Sequence, residues 1–269
     1  MITSFFVIVL AAGSVVSGLP SGNAHALVPR DCSAEVSTFN AARAAKRGLD
    51  SRSIWLGPQN TTCILAPESP KNNYVAGSPT RSDITSGQSG LPFVLDVGLM
   101  DVTTCTPLAN TMVEVWSANA MGNYGSFLRG GTTSNSGGIA EFQAIFPGWS
   151  DGANHVNIAV HTSSSMSSTT THVGKLFFTD QWTNLIGGTS PYTQNTHSRI
   201  LNSADSDYNN ALSKGYSPVV SITSIHDDWP EGIVGIISEC KLCFSYHRGV
   251  ISHYRLQLLA LTRIKFTEK

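Results

Sequence analysis

Residues 93–99 read Phe-Val-Leu-Asp-Val-Gly-Leu. Phe93, Leu95, Val97 and Leu99 alternate with Val94, Asp96 and Gly98, and on an extended chain side chains two residues apart share a face. This period predicts a strand with one apolar face. Further β-rich runs follow at Met112–Trp116, Ile139–Ile145, His155–His161, Val173–Phe178 and Pro218–Ile225. Turn residues separate them: Gly130-Gly131, Ser136-Gly137-Gly138, Pro147-Gly148 and Gly187-Gly188. Short strands with no long helical pattern between them predict an all-β chain folded as a β-sandwich. The polar tract Thr162–Thr171 reads as an exposed hairpin or loop.

Toward the N-terminus, Cys32–Arg47 (CSAEVSTFNAARAAKR) is the best helical candidate, with Val36, Phe39, Ala42 and Ala44 roughly on one face and Gly48 behind it. It reads as part of an N-terminal arm or pro-segment over residues 27–56. Arg43, Lys46 and Arg47 read as a solvated helix end, with a processing site as the alternative. Residues 1–26 carry an apolar run shorter than a membrane span and end in Ala24-His25-Ala26, the pattern of a signal peptide. Secretion makes Asn60-Thr61-Thr62 a glycosylation acceptor and favours disulfides, and five cysteines leave one over. The expectation is a secreted, extracellular protein with no membrane attachment after cleavage.

The 17 basic residues cluster at the ends: five lie in Arg30–Arg52 and six in Lys241–Lys269. Residues 57–236, the expected sandwich, keep six basic and 13 acidic residues, a net charge of −7. Phosphate neutralisation needs Lys and Arg clusters, so nucleic acid is not the expected partner. Residues 237–269 are basic and unlike the body, and read as a tail outside the sandwich. The lone Cys240-x-x-Cys243 there falls short of the four ligands that structural zinc takes.

Several separated pieces fit one pattern. They are Arg81-Ser82-Asp83-Ile84, the Leu95–Asp101 strand with Cys105-Thr106-Pro107, VEVWSANAMGNYGSFLRG, IFPGW, NHVNIAVH and HVGKLFF. In order and spacing they resemble the secreted fungal branch of the intradiol ring-cleavage dioxygenases, over about Cys63 to Gly235. The resemblance implies a β-sandwich holding a non-haem ferric ion by two tyrosines and two histidines. It also implies cleavage of catechols by dioxygen between the two hydroxyl-bearing carbons. Ferric iron is a hard ion suited to phenolate oxygen, with imidazoles completing the set.

Carried over residue by residue, the first tyrosine falls on Tyr124 and the first histidine on His155, both retained. The second tyrosine position is Ser150 and the second histidine position Asn157. An arginine expected before the histidines is missing where Gly152 meets Ala153. Asp151 is the candidate rescue ligand, since a carboxylate beside Tyr124 and His155 makes a chemically acceptable three-ligand set. His161 shares the face of His155 but lies about 20 Å along the strand, too far for one ion. Trp116, Trp149 and His172 are implied as residues flanking the metal. The resemblance also implies a Cys63–Cys105 disulfide, which leaves Cys32 to pair with a tail cysteine or stay free.

Three functions follow as expectations. The first is an extracellular dioxygenase-like oxidoreductase with Fe(III), a small aromatic diol as substrate and a degraded metal site. The second is a pseudoenzyme that binds an aromatic or carbohydrate ligand, and the third a secreted structural module.

Overall fold

The computed structural model describes residues 32–46, 68–150, 152–215, 217–225 and 228–241. Among the described residues, nine strands form two sheets. Strands β1 (Pro92–Asp101), β2 (Thr106–Pro107), β5 (Ile139–Ile145), β8 (Ser221–Ser224) and β9 (Ile233–Lys241) make the first. Within it β1 is central, with β5 and β2 antiparallel to it and β9 parallel. Strands β3 (Met112–Trp116), β4 (Arg129–Thr133), β6 (His155–His161) and β7 (Thr170–Phe177) make the second, in the order β4-β3-β6-β7. Three of the strand expectations, Met112–Trp116, Ile139–Ile145 and His155–His161, match residue for residue.

The alternation in β1 does what its period requires. Phe93, Leu95, Val97 and Leu99 face the core, against Val113 and Val115 of β3, Phe142 of β5, Val156, Ile158 and Val160 of β6 and Leu176 of β7. Phe146, Phe178 and Tyr192 close one end of it. Tyr192 Oη donates to Phe146 O at 2.6 Å and accepts from Leu91 N at 3.0 Å, so its hydroxyl is satisfied inside the core. Between β4 and β5 the chain turns at Gly138 (φ +74°), where a Cβ would stand 2.7 Å from Leu99 O. The motif at residues 81–84 seals the seam between the sheets. Arg81 N donates to Gly131 O of β4 and Ile84 N to Gln143 O of β5, while the Arg81 guanidinium takes Arg129 O.

The outer face of β1, carrying Asp96, Gly98 and Met100, is covered by helix α1 (Ser33–Lys46). Here three sequence expectations are corrected. Cys105 pairs with Cys32, not Cys63, because α1 starts over the β1–β2 turn, where Cys32 and Val36 pack with Met100 and Cys105. Cys63 lies outside the described residues. Arg43 is not a solvated helix end. It is buried, ion-paired with Asp96 and hydrogen-bonded to Ser238, because the helix face toward the sheet runs Cys32, Val36, Phe39 and Arg43 rather than through the exposed Ala42. Finally, the sandwich does not stop at Ile236. Strand β9 runs on to Lys241 in register with Asp101, and Ile237 and Ser238 are fully buried, since a parallel partner of β1 and a helix above it leave no free surface there. The tail from residue 242, the signal segment and Asn60 lie outside the described residues. Non-reducing peptide mapping of the protein should recover Cys32 and Cys105 in one linked pair; a Cys63–Cys105 peptide would overturn that assignment.

Candidate metal centre

The candidate site lies on the outer face of the second sheet. In β6 the core takes Val156, Ile158 and Val160, so His155, Asn157, Ala159 and His161 point the other way. Residues 68–80 cover part of this face. Trp116 Nε1 donates to Asn72 O at 2.9 Å, Tyr74 packs edge-on against Trp116 at 5.1 Å, and Ser69 N donates to Val173 O. Helix α3 (Ser206–Ser213) covers another part, with Tyr208 edge-on to Phe177 at 5.4 Å and Phe177 5.8 Å from His155.

Tyr124 is delivered by the loop between β3 and β4. Asn119 Oδ1 accepts from Met121 N and Asn123 N, which folds that loop into a tight turn. Gly122 (φ +80°) lets it approach Trp149 O, where a Cβ would stand at 2.4 Å. Gly148 N then donates to Asn119 O at 3.1 Å, tying the Tyr124 loop to the loop that carries Ser150. Ser150 is half-buried there, and Asp151 lies outside the described residues.

His155 Nδ1 lies 2.7 Å from Ala153 O. A carbonyl only accepts, so Nδ1 carries the proton and Nε2 presents its lone pair. Nε2 faces Tyr124 Oη at 3.4 Å. Asn157 Nδ2 donates to Tyr124 Oη at 3.2 Å and to Trp116 O at 3.3 Å, while its Oδ1 is buried with no hydrogen-bond partner among the described residues. The shortened loop ahead of β6 is closed by Asp205, whose Oδ2 accepts from Ala153 N at 3.0 Å and would meet a Cβ on Gly152 at 2.7 Å.

Do these groups fit ferric iron? Two bonds of about 2.1 Å meeting at a tetrahedral angle hold their donor atoms about 3.4 Å apart, so Tyr124 and His155 keep a spacing that one ion can bridge. The rest of the set does not fit. Ser150 offers a neutral hydroxyl and Asn157 a neutral amide that hydrogen-bonds to the phenol instead. One phenolate and one imidazole do not satisfy a hard trivalent ion. Among the described residues no group of three His, Cys, Asp or Glu side chains is arranged around a metal position.

Of the flanking residues, Trp116 sits beside Asn157 in register. Trp149 turns away, donating to His197 O at 2.8 Å and packing on Gly187 of helix α2 (Asp180–Gly187). His172 is corrected outright: it pairs in register with Val160 and therefore faces the core side of the sheet, away from His155. The unbroken register from Val156–Leu176 through Ile158–Gly174 to Val160–His172 sets this parity. Neither ring nitrogen of His172 has a hydrogen-bond partner among the described residues, and burial lowers its pKa from 6.5 to about 4. The unfolded chain therefore takes up this proton first, and stability falls as pH drops from about 6.5 toward 4, by up to about 1.4 kcal/mol per pH unit. In His172→Leu, denaturation midpoints measured across that window should flatten.

Sequence reasoning missed the charged pair beside the site. Lys175 is opposite Asn157 in register and almost wholly buried, and its ammonium meets Asp207 of α3 at 2.8 Å. Strand parity with Phe177 points to Lys175 from sequence alone, whereas nothing local announces Asp205 or Asp207. His161, read as an ordinary strand-end residue, faces Glu114.

No family model matches the sequence, and no curated protein matches it. Solved structures do resemble the fold. An intradiol ring-cleavage dioxygenase from Tetranychus urticae superposes with a TM-score of 0.59 at 23% identity, covering 69% of this chain and 98% of that one. A second dioxygenase structure gives 0.58 at the same identity and coverage. The chain thus has the β-sandwich fold of intradiol ring-cleavage dioxygenases.

Proposed function

We propose that this protein is a secreted relative of the intradiol ring-cleavage dioxygenases whose iron centre has been dismantled, and that it binds an aromatic diol without opening the ring. The observation carrying the reading is the Tyr124–His155–Asn157 cluster, where an amide donates to the phenol at a position the family resemblance assigns to a second histidine. The fold and the 3.4 Å spacing of Tyr124 and His155 support descent from a metal site. The Cys32–Cys105 disulfide supports an oxidising compartment, and hence secretion. Asn60 would then carry glycan. A second reading, an active Fe(III) dioxygenase, rests on Asp151 completing a three-ligand set with Tyr124 and His155.

Metal analysis and titration calorimetry with a panel of catechols separate these readings. The first expects colourless protein that stays colourless after iron addition yet gives a catechol-binding heat. Coloured protein that consumes catechol and dioxygen establishes the second. No iron and no catechol heat would leave a structural module and overturn both.

A further inference from the structure

Glu114 and His161 form a second cluster on the same face, outside the candidate metal centre. Glu114 is fully buried on β3. No Lys or Arg among the described residues pairs with it. Arg129 donates instead to Ala76 O at 3.1 Å, and the Lys71 ammonium lies 4.5 Å over the Tyr74 ring. A carboxylate taken out of water without a compensating cation is costly. His161 Nε2 and Tyr74 Oη each lie 3.4 Å from Glu114 Oε2, and Ser78 turns its hydroxyl toward the same carboxylate. Even so, Ser78 Oγ and Glu114 Oε1 complete no hydrogen bond among the described residues. Buried polar atoms left over together in this way mark a place where an ion or a water belongs.

We propose that Glu114 and His161, flanked by Tyr74 and Ser78, bind one divalent cation of the zinc class, which fastens residues 69–79 to the outer face of the second sheet. The spacing separates an ion from a proton. A charge-assisted hydrogen bond between imidazolium and carboxylate draws its two heavy atoms to about 2.7–2.9 Å. Two metal bonds of about 2.1 Å meeting at a tetrahedral angle leave them about 3.4 Å apart, the distance between Nε2 and Oε2 here. The ring is also anchored as metal-bound imidazoles are. His161 Nδ1 lies 3.1 Å from Ser168 O, and a carbonyl only accepts, so Nδ1 donates there and Nε2 is the nitrogen turned to Glu114. An ion seated between two such atoms needs no cavity of its own, which agrees with the burial of both side chains. Imidazole with carboxylate and hydroxyl oxygens suits zinc rather than calcium, which takes oxygen alone, or copper(I), which takes sulfur. Glu114 and His161 come from the sheet, Tyr74 and Ser78 from its cover, so one ion ties the two together. The inference is independent of whether Tyr124 and His155 hold metal or diol.

Zinc alone is the probe, on the intact, oxidised full chain after treatment with a chelator. In equilibrium dialysis Glu114→Gln should lose about one zinc per chain relative to the parent, and Tyr124→Phe none. Two measurements on the parent need no variant. Nitrogen NMR of the His161 ring should show the Nε2 resonance shift on zinc addition while Nδ1 keeps its proton. Hydrogen exchange should show Ser69 N and Gly131 N, which hold the cover through Val173 O and Pro79 O, gaining protection. The gain should be about tenfold for each tenfold of free zinc above the dissociation constant. A parent that binds no zinc overturns the proposal, as does a His161 Nε2 resonance that zinc leaves in place. Zinc retained in full by folded Glu114→Gln but lost from Tyr124→Phe overturns it as well, since the ion would then sit at the neighbouring centre.

Discussion

Arg43→Ala is expected to cost the domain about 3–5 kcal/mol, the range for removing one partner of a buried ion pair. Arg43 is 3% exposed and Asp96 1%. The guanidinium is ion-paired with the Asp96 carboxylate and also donates to Asp96 O at 2.7 Å, Ile237 O at 3.2 Å, Asn40 Oδ1 at 3.0 Å and Ser238 Oγ at 3.0 Å. One side chain thus joins α1, β1 and β9. Truncation leaves a carboxylate and two strand carbonyls buried under a helix, with no water to replace the lost donors. Arg43→Lys should recover only part, because a single ammonium cannot span the fork of partners. Urea denaturation gives the measurement, with the m-value confirming that the same surface unfolds. The control is the double variant Arg43→Met with Asp96→Leu. Removing both charges should recover most of the loss, since the penalty comes from the stranded carboxylate. If Arg43→Ala loses less than about 1 kcal/mol, in the range of an exposed pair, the helix is not seated as described.

The second large effect is a gain. The double variant Ser150→Tyr with Asn157→His should bind about one ferric ion per chain and show the colour of iron-bound phenolate, where the parent shows neither. Tyr124 and His155 already stand 3.4 Å apart, and position 157 lies on the same face two residues along β6. A histidine there also removes the amide that now occupies the Tyr124 phenol. Asn157→His alone should bind more weakly, since it supplies an imidazole but no second phenolate. Reinserting an arginine between Gly152 and Ala153 is a separate step, and it must displace the Ala153 N–H from Asp205. Parent protein that already binds iron fully would make Asp151 the rescuing ligand. Absence of binding in both proteins would place Ser150 or Asn157 away from the metal position.

How much of this was legible beforehand follows from the range of each interaction. The alternation of Phe93, Leu95, Val97 and Leu99 is a local property, and one apolar face per strand is enough to predict a sandwich. Likewise His155 and Asn157 share a face because they are two residues apart, wherever β6 ends up. The helix at residues 33–46 was legible from its period, yet which of its faces would be buried was not. Arg43 looks like solvated charge in sequence, and only an Asp96 waiting 53 residues on makes its burial favourable. Cysteine pairing, the run of β9 to Lys241 along β1, the face of His172 and the Lys175–Asp207 pair were all decided by the tertiary structure. Each depends on register between segments far apart in the chain, and a one-residue change in register moves a side chain to the opposite face of its sheet.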